Sequence, residues 1–238
     1  MTYEGRVGGV VAIVPAKDEA QRLGATLAAL ARVPQVSAVI VVDDGSRDRT
    51  AVVGEQAGVL VCRHTRNRGK AAAMQTGAQA AGEKHPEAAL LFVDADLEDS
   101  AAGLGVLCDP VLAGSADMSI AVLPPQDRAG GGFGLVVRLA RDGIQDLTGF
   151  EATQPLSGMR CLTRAALDAA SPLARGWGVE VGLTVDVLRS GGRVLEVPCE
   201  LRHRVTGRDW RAQMHRARQY RDVRRALKAR STLLPRTG

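Results

Sequence analysis

The 238-residue sequence is poor in aromatic residues, which make up 3% of the chain. Proteins that bind single-stranded nucleic acid stack bases on aromatic side chains, so this scarcity argues against a nucleic-acid partner. The sequence also lacks an apolar run near the roughly 20 residues that a membrane-spanning helix needs. The first residues lack the charged and long apolar segments of a signal peptide, and we therefore expect a cytoplasmic protein.

Cysteines are few and widely spaced, and no C-x-x-C pair occurs among them: Cys62, Cys108, Cys161 and Cys199. This spacing indicates reduced thiols and neither a disulfide framework nor a cysteine zinc site. The segment NRGKAA contains the Gly-Lys pair of a P-loop. However, His64 stands where a P-loop requires Gly, and no Ser or Thr follows Lys70. P-loop nucleotide binding is therefore excluded.

Short apolar runs alternate with helix-like segments along the chain. Strands are predicted at 9–16, 37–45, 58–62, 89–96, 116–123, 193–198 and 199–204, and helices at 19–31, 47–56, 70–81, 101–112, 133–144 and 179–189. Strands that are apolar on both faces and separated by helices indicate an α/β fold, with a mostly parallel sheet flanked by helices. The Pro- and Gly-rich stretch PPQDRAGGGFG predicts a loop or a seam between the two halves.

Polar clusters follow four of the predicted strands: PAKDE, DDGSRD, RNRGK and DADLED. Ligands of parallel sheets bind at the carboxyl ends of the strands, so one crevice is expected to collect all four clusters. The start of the helix at Lys70 suits a phosphate. Purely structural roles stay open for two of these residues, since Glu19 also favours a helix start and Asp44 or Asp43 also favours a turn.

Asp94 and Asp96 follow the apolar run ALLFV and are two residues apart, so they would share a face if the strand continued. Two neighbouring carboxylates repel each other, which predicts a cation between them. Mg²⁺ or Mn²⁺ held by one or two carboxylates and by substrate phosphates meets this need. The other interpretation is a solvated acidic turn. A nucleotide diphosphate accounts for all four polar clusters together.

The segments VPAKDEA, VVDDGSRDRT, NRGKAAAMQTGAQAA and FVDADLED resemble, in this order, the family-two glycosyltransferases with the GT-A fold. Within that family they are similar to the dolichyl-phosphate-mannose and glucosyl-3-phosphoglycerate synthase groups. The resemblance implies nucleotide-sugar binding and a DxD pair that meets the metal and the donor sugar. The implied nucleotide-binding residues are Pro15, Ala16, Glu19, Asp44, Lys70 and Asp94.

The second half, with QPLSGMRCLTRAAL, GWGVEVGLTVDVL and VPCELRHR, resembles the acceptor side of the phosphoglycerate-linked synthases. The resemblance implies catalytic roles for Asp96 and Glu180, and a metal bound by Asp96 and His203. A surface position for His203 and a plain first-turn position for Glu180 stay open. The implied acceptor-binding residues are Gln154, Leu156, Ser157 and Gly158.

The resemblance implies one domain in three parts. Residues 1–123 are the nucleotide-sugar half, residues 124–207 the acceptor-side half, and residues 208–238 a basic amphipathic helix and tail. The expected activity is metal-dependent transfer of a sugar from a nucleotide diphosphate sugar to an anionic, phosphate-bearing acceptor, either a polyprenyl phosphate or a phosphoglycerate-like acid. A catalytically inactive nucleotide-sugar-binding module is the alternative.

The chain carries a net charge of +5, but residues 202–230 contain eleven Lys or Arg and only two acids, which leaves the rest of the chain net negative at about −4. Apolar residues recur there every three or four positions, at Met214, Ala217, Tyr220, Val223 and Leu227. Such a helix suits an anionic membrane surface at the inner face of the membrane, or docks on its own domain through that stripe. It also offers a surface for a soluble anionic acceptor or for a second subunit in a homodimer. The basic residues between the stripe positions are Arg211, Arg216, Arg218, Arg221, Arg225 and Lys228.

Overall fold

The computed structural model describes residues 9–124, 133–200 and 210–232. The strands are β1 (Val10–Ala16), β2 (Val36–Asp43), β3 (Leu60–Arg63), β4 (Ala89–Phe92), β5 (Met118–Val122), β6 (Arg160–Leu162) and β7 (Val194–Pro198). The α-helices are α1 (Leu23–Leu30), α2 (Thr50–Gln56), α3 (Lys70–Lys84), α4 (Gly105–Leu112), α5 (Phe133–Thr148), α6 (Arg164–Ala169), α7 (Val179–Arg189) and α8 (Trp210–Ser231). Short 3-10 helices cover Glu98–Leu104 and Gly176–Gly178.

All seven strands join one sheet in the order β3-β2-β1-β4-β6-β5-β7. Strands β1 to β4 are mutually parallel, whereas β6 runs antiparallel between β4 and β5. Arg160, the first residue of β6, pairs with Phe92, the last residue of β4. Because β6 is antiparallel, the residues that precede it arrive at the carboxyl end of β4. The mostly parallel α/β fold predicted from the sequence is confirmed.

Apolar cores cover both faces of the sheet. In β1, Val10, Ala12 and Val14 pack with α1 and α4, and Val11 and Ile13 pack on the opposite face with α3 and α7. This two-sided burial explains why the strand is continuously apolar instead of alternating. A third cluster lies between α5, α7 and α8.

The sequence placed the first five strands correctly but not every boundary. The first helix begins at Leu23 instead of residue 19, and the amides of Glu19 and Ala20 before it donate to Thr50 and Asp48 at the start of α2. The sequence analysis missed β6 and α6. The predicted strand at 199–204 is wrong at its start, where Cys199 and Glu200 are not in a strand, and its remaining residues lie outside the described ranges.

Strand β4 ends at Phe92, so the expectation that Asp94 and Asp96 extend it and share a face is wrong. The Val93 amide still donates to Ile13 in β1, at 3.0 Å. The chain then turns, and the hydroxyl of Thr26 in α1 donates to the carbonyl of Ala95 at 2.9 Å. The turn is thus held from α1, and the two carboxylates do not follow the alternation of a strand.

Helix α8 docks on α5, α7 and the 3-10 turn before α7. Its buried residues include Val223, Leu227 and Arg230, and Arg230 forms a two-pronged ion pair with Asp186 of α7, with Nε 2.7 Å from Oδ1. Leu227 lies against Gly143 of α5, so closely that a β-carbon there would collide with it. Within residues 9–124, 133–200 and 210–232, none of the helices has the length and apolar character needed to cross a bilayer.

The predicted apolar stripe of α8 is correct only in part. Val223 and Leu227 are buried, but Ala217 and Tyr220 are exposed, while the side chain of Met214 lies outside the described parts. The face that docks is completed by Gln219, Ala226 and Arg230 instead. The arginine enters because it pairs with Asp186 on α7, which a hydrophobicity pattern does not register.

Candidate active site

The loops after β1 and β2 interlock at the carboxyl edge of the sheet. Asp18 accepts a hydrogen bond from the Arg47 amide at 2.7 Å, and its own amide donates to Ser46 at 2.9 Å. Asp18 adopts a left-handed backbone conformation with φ +57°, which Asp tolerates better than most residues. The Asp44 amide donates to the carbonyl of Ala16. Pro15, Ala16, Glu19 and Asp44 are thereby brought to one edge, as predicted.

Asp44 is buried and organises the loop that leads into α3. Its carboxylate accepts the amides of Arg68 and Gly69, both at 2.8 Å. It also lies 2.7 Å from Nδ1 of His64, whose Nε2 is 2.9 Å from the hydroxyl of Thr76 in α3. In this structure the carboxylate of Asp44 therefore fixes where α3 begins, with Lys70 as its first residue. The nucleotide-binding role of Asp44 stays a prediction.

Lys70 lies between two carboxylates at the end of β4. Its Nζ is 2.8 Å from Oδ1 of Asp94 and 3.2 Å from Oε1 of Glu180, the second residue of α7. Burial lowers the pKa of Lys70, but the two carboxylates outweigh it and raise the pKa above its usual value. Lys70 therefore remains a cation. Residues from α3, from the turn after β4 and from α7 that the sequence analysis singled out separately form one cluster.

The segment before β6 reaches this cluster through Gly158. A β-carbon at Gly158 would lie 2.5 Å from Nζ of Lys70 and 3.0 Å from both carboxylate oxygens of Asp94. Only a glycine allows the backbone to approach the ion pair so closely. We refer to residues 154–158 as the acceptor loop, after their predicted role. The antiparallel direction of β6 is the reason why this loop meets the donor-side residues.

Of the two predicted metal ligands, Asp96 and His203, the structure describes Asp96. Asp96 is half-buried and makes no hydrogen bond or ion pair with another described residue. His203 lies outside the described residues. Over the described ranges, no three His, Cys, Asp or Glu side chains are grouped so as to hold a metal ion. The chemistry of the Asp96 carboxylate still fits Mg²⁺ or Mn²⁺, which bind oxygen ligands and complete their shell with water or phosphate.

The arrangement suits an anionic ligand that carries a metal. The N-termini of α3 and α7 are both near the cluster, because Lys70 and Glu180 lie in their first turns. Helix N-termini favour anions through their free amides and dipole.

The chain matches the model of the family described as Glycosyl transferase family 2 over residues 11–168.

The chain belongs to glycosyltransferase family 2. The matched region contains every predicted site residue except Glu180 and His203. An uncharacterized protein of Methanocaldococcus jannaschii is 32% identical over 161 residues, which are 66% of this chain and 65% of that protein. The chain thus spans just under two thirds of the length of this relative.

Solved structures show the same fold. Glucosyl-3-phosphoglycerate synthase from Mycobacterium tuberculosis, in complex with Mn²⁺, UDP and phosphoglyceric acid, is 23% identical with a TM-score of 0.77. The alignment covers 97% of this chain and 81% of that one. The same synthase in complex with Mn²⁺ and UDP-glucose is 25% identical with a TM-score of 0.76, over 97% and 81% of the two chains.

Sequence reasoning missed Arg160, the largest fully buried side chain among the described residues of this family-2 member. Its guanidinium donates to the carbonyls of Ser157 at 2.9 Å, Glu180 at 2.8 Å and Pro155 at 3.1 Å, and to the hydroxyl of Thr184 at 2.7 Å. Burial lowers its pKa to about 10, against the opposing effect of nearby carboxylates. An arginine within the apolar segment around GMRCL was the only signal in the sequence.

Other side chains hold the acceptor loop at its first residues. Glu196 of β7 accepts the amides of Thr153 and Gln154, between 2.8 and 3.0 Å. The side chain of Gln154 both donates to and accepts from the backbone of Leu123 at the end of β5. The Ser157 hydroxyl is buried without a hydrogen-bond partner among the residues that the structure describes. Gln154 thus supports the loop in this structure, and its contact with an acceptor stays a prediction.

Proposed function

We propose that this family-2 member transfers a sugar from a nucleotide diphosphate sugar to an anionic, phosphate-bearing acceptor, with Mg²⁺ or Mn²⁺ as cofactor. One observation carries the proposal: the backbone of Gly158 in the acceptor loop lies directly against the Lys70–Asp94 ion pair. Donor-side and acceptor-side segments thus meet at the carboxyl end of β4, where ligands of α/β sheets bind. The complexes of the M. tuberculosis synthase with UDP-glucose and phosphoglyceric acid support the same assignment.

In this proposal the edge formed by Pro15, Ala16, Glu19 and Asp44 holds the base and ribose. Asp94 and Lys70 lie where the diphosphate and the sugar meet, beside the N-terminus of α3. Glu180, which contacts Lys70, faces the transferred sugar or the acceptor. Leu156, Ser157 and Gly158 line the acceptor side.

Asp96 and His203 would hold the metal, which supplies positive charge for the diphosphate leaving group. The chain contributes a fixed cation as well, because Lys70 stays protonated between its two carboxylates. A preorganised cation stabilises charge that develops on the leaving group. An acceptor that attacks through a phosphate oxygen is already anionic and needs no strong general base, whereas an acceptor hydroxyl must transfer its proton to a base as it attacks.

A screen of nucleotide sugars tests the donor assignment. Thermal unfolding is measured with UDP-, GDP- and ADP-sugars, each with and without Mn²⁺, since a ligand that binds the folded state raises the melting temperature. We expect one nucleotide class to stabilise the chain, and Mn²⁺ to increase the effect. Stabilisation by none of the donors, with or without the metal, would refute the proposal.

Slow hydrolysis of the selected donor then separates the enzyme from an inactive binding module. We expect Mn²⁺-dependent release of nucleoside diphosphate from the wild type and loss of this release in Asp96→Ala. Asp99→Ala is the matched control, because Asp99 is an exposed acid of the same segment and pairs only with Arg32 at the surface. Donor binding without turnover, alone or with phosphoglyceric acid or a polyprenyl phosphate, would instead identify a binding module.

We also propose peripheral contact of α8 with anionic lipid. The docked side of α8 faces α5 and α7, which leaves a row of exposed cations: Arg218, Arg221, Arg224, Arg225 and Lys228. Each basic residue near an anionic bilayer contributes about 1 kcal/mol of attraction. Co-sedimentation with vesicles containing phosphatidylserine, compared with neutral vesicles, tests the contact, and equal recovery with both kinds would reject it. The homodimer and the cytoplasmic location stay predictions.

A further inference from the structure

Arg160 is buried without a carboxylate in ion-pair distance among the described residues. A buried charge without a counter-ion is costly unless neutral dipoles surround it. Here four of the five guanidinium N–H groups are used, and all four acceptors are neutral oxygens. An apolar side chain would fill this position at lower desolvation cost, so the position calls for an explanation beyond packing.

The hydrogen-bond acceptors of Arg160 lie in two separate segments, the acceptor loop and α7. Two are carbonyls of the acceptor loop, at Pro155 and Ser157, and two belong to the first turns of α7, at Glu180 and Thr184. The Glu180 carbonyl is additionally bonded by the Thr184 hydroxyl at 3.0 Å. Arg160 thus joins the loop to the helix turn that presents the Glu180 carboxylate.

The contacts close a ring around the candidate site. From Arg160 the ring runs through Glu180 to Lys70 and Asp94, then through the close approach of Gly158 back to the loop. Each contact in the ring limits the movement of the next. The distance between the acceptor loop and Glu180 is therefore set by a side chain that itself lies outside the ion-pair cluster.

We propose that Arg160 is a positioning residue, which fixes the acceptor loop relative to Glu180 so that the acceptor is held against the donor sugar. The expected effect of Arg160 on the rate of transfer rests on the proposed function, whereas its expected effect on the mobility of the acceptor loop does not. A lysine cannot replace the arginine, because an ammonium lacks the planar fork that spans four acceptors in two segments. Misplacement of a reacting group by about 1 Å costs up to roughly 100-fold in rate.

The structural consequence is tested without any ligand, by hydrogen–deuterium exchange of the full chain. We expect Arg160→Lys to accelerate exchange in peptides that contain the acceptor loop and the start of α7, and to leave peptides of β1 and α2 unchanged. Thr184→Val removes one of the four acceptors with little change in shape, and we expect a smaller acceleration in the same peptides. The Thr184→Val variant also keeps the test valid if Arg160→Lys does not fold.

Arg164→Lys is the matched control. The described hydrogen bonds of Arg164 also go to carbonyls, that of Ala78 within α3 and that of His85 just after it, and none goes to the acceptor loop. We expect its variant to leave exchange in the loop unchanged. Unchanged exchange in the loop of Arg160→Lys and Thr184→Val, or equal acceleration in Arg164→Lys, would overturn the positioning role.

The kinetic consequence is measured with UDP-glucose as the first donor and phosphoglyceric acid as the first acceptor, or with the pair that the screen selects. We expect Arg160→Lys to reduce kcat/KM for the acceptor by about 10- to 100-fold and to leave the dissociation constant of the donor within twofold. If the affinity for the donor fell by the same factor as kcat/KM for the acceptor, the inference would be overturned. Absence of donor binding and turnover in the wild type would instead refute the proposed function, and the exchange experiment would still decide the role of Arg160.

Discussion

The donor-side loops and the acceptor loop reach the same crevice by different means. The loops after β1 and β2 are held to each other by short carboxylate and hydroxyl side chains, as Asp18 holds the Arg47 amide and Ser46 accepts the Asp18 amide. The acceptor loop is held by long charged side chains from β6 and β7, namely Arg160 and Glu196. The Asp18–Arg47 contact is exposed to solvent, whereas the contacts of Arg160 are buried and Glu196 is half-buried.

This difference follows from strand direction. In the parallel part, every loop after a strand arrives at the ligand edge, so neighbouring loops support each other directly. In the second half, the ligand edge receives the segment that enters the antiparallel strand β6. Besides the contact of Gln154 with Leu123 after β5, this segment is held by the side chains of Arg160 and Glu196. We expect substitutions in the second half to disturb geometry more readily than those at the exposed edge.

We expect the largest loss of activity from a substitution at Lys70, which joins the two halves of the molecule. Lys70→Met leaves the carboxylates of Asp94 and Glu180 side by side without their cation. We expect a loss of transfer of about 10²- to 10³-fold, as for removal of other preorganised electrostatic groups. Steady-state release of nucleoside diphosphate measures it. Lys84→Met, at the exposed end of the same helix, is the control, and a loss of similar size there would contradict the prediction.

The support of the second half by α8 is tested at Arg230. Arg230→Met removes the partner of Asp186, and both side chains are mostly buried. Breaking such a pair leaves an uncompensated charge, and we expect the free energy of unfolding to fall by about 2–3 kcal/mol. Urea denaturation measures the change. The exposed Lys228 on the same helix serves for comparison, and a Lys228→Met variant as unstable as Arg230→Met would show that the ion pair is unimportant.

Gly158→Ala probes the boundary between the halves directly. The added methyl group would displace the Lys70–Asp94 pair, whose atoms are side-chain ends that yield at moderate cost. We expect a loss of stability of about 1–2 kcal/mol but a reduction in transfer of about tenfold or more. Parallel unfolding and activity measurements check this. Gly134→Ala in α5, where a β-carbon meets nothing within 4 Å, should lower neither quantity, and equal activity of the two variants would contradict the prediction.

The smallest effect is expected at Asp117, which ties the start of β5 to the start of β7. The Arg193 amide, which donates at 2.7 Å, and the Arg193 side chain lower the pKa of Asp117 below its usual 3.8. Because the folded-state pKa is lowered, the stabilisation is complete above pH 3.8 and is lost as the pH falls through the folded-state value.

Asp117→Asn should therefore cost less than about 1 kcal/mol at pH 7 for this partly exposed pair. The difference from the wild type should shrink towards pH 3. Urea denaturation at pH 7, 5 and 3 measures it. A difference that stays constant over this range would show that the carboxylate charge plays no part.

The donor side was predictable because its signals are local. An apolar run followed by a turn and a carboxylate, as at Asp44 or Asp94, indicates a strand that delivers a polar residue to the ligand edge. The acceptor side was predictable only through the family resemblance, which pointed to Gln154–Gly158 and Glu180. Strand β6 has three residues and is too short to carry a periodicity, so neither its direction nor the burial of Arg160 could be derived.

By itself, the sequence determined the alternation of strands and helices, the crowding of polar residues at one edge and the family, because each depends on local pattern and order. The tertiary structure alone decided that Lys70 joins Asp94 to Glu180, that Gly158 packs against this pair and that Arg160 rather than an apolar residue fills the space behind it. These contacts link residues 20 to 110 positions apart in the chain, and such pairings have no periodicity from which they could be inferred.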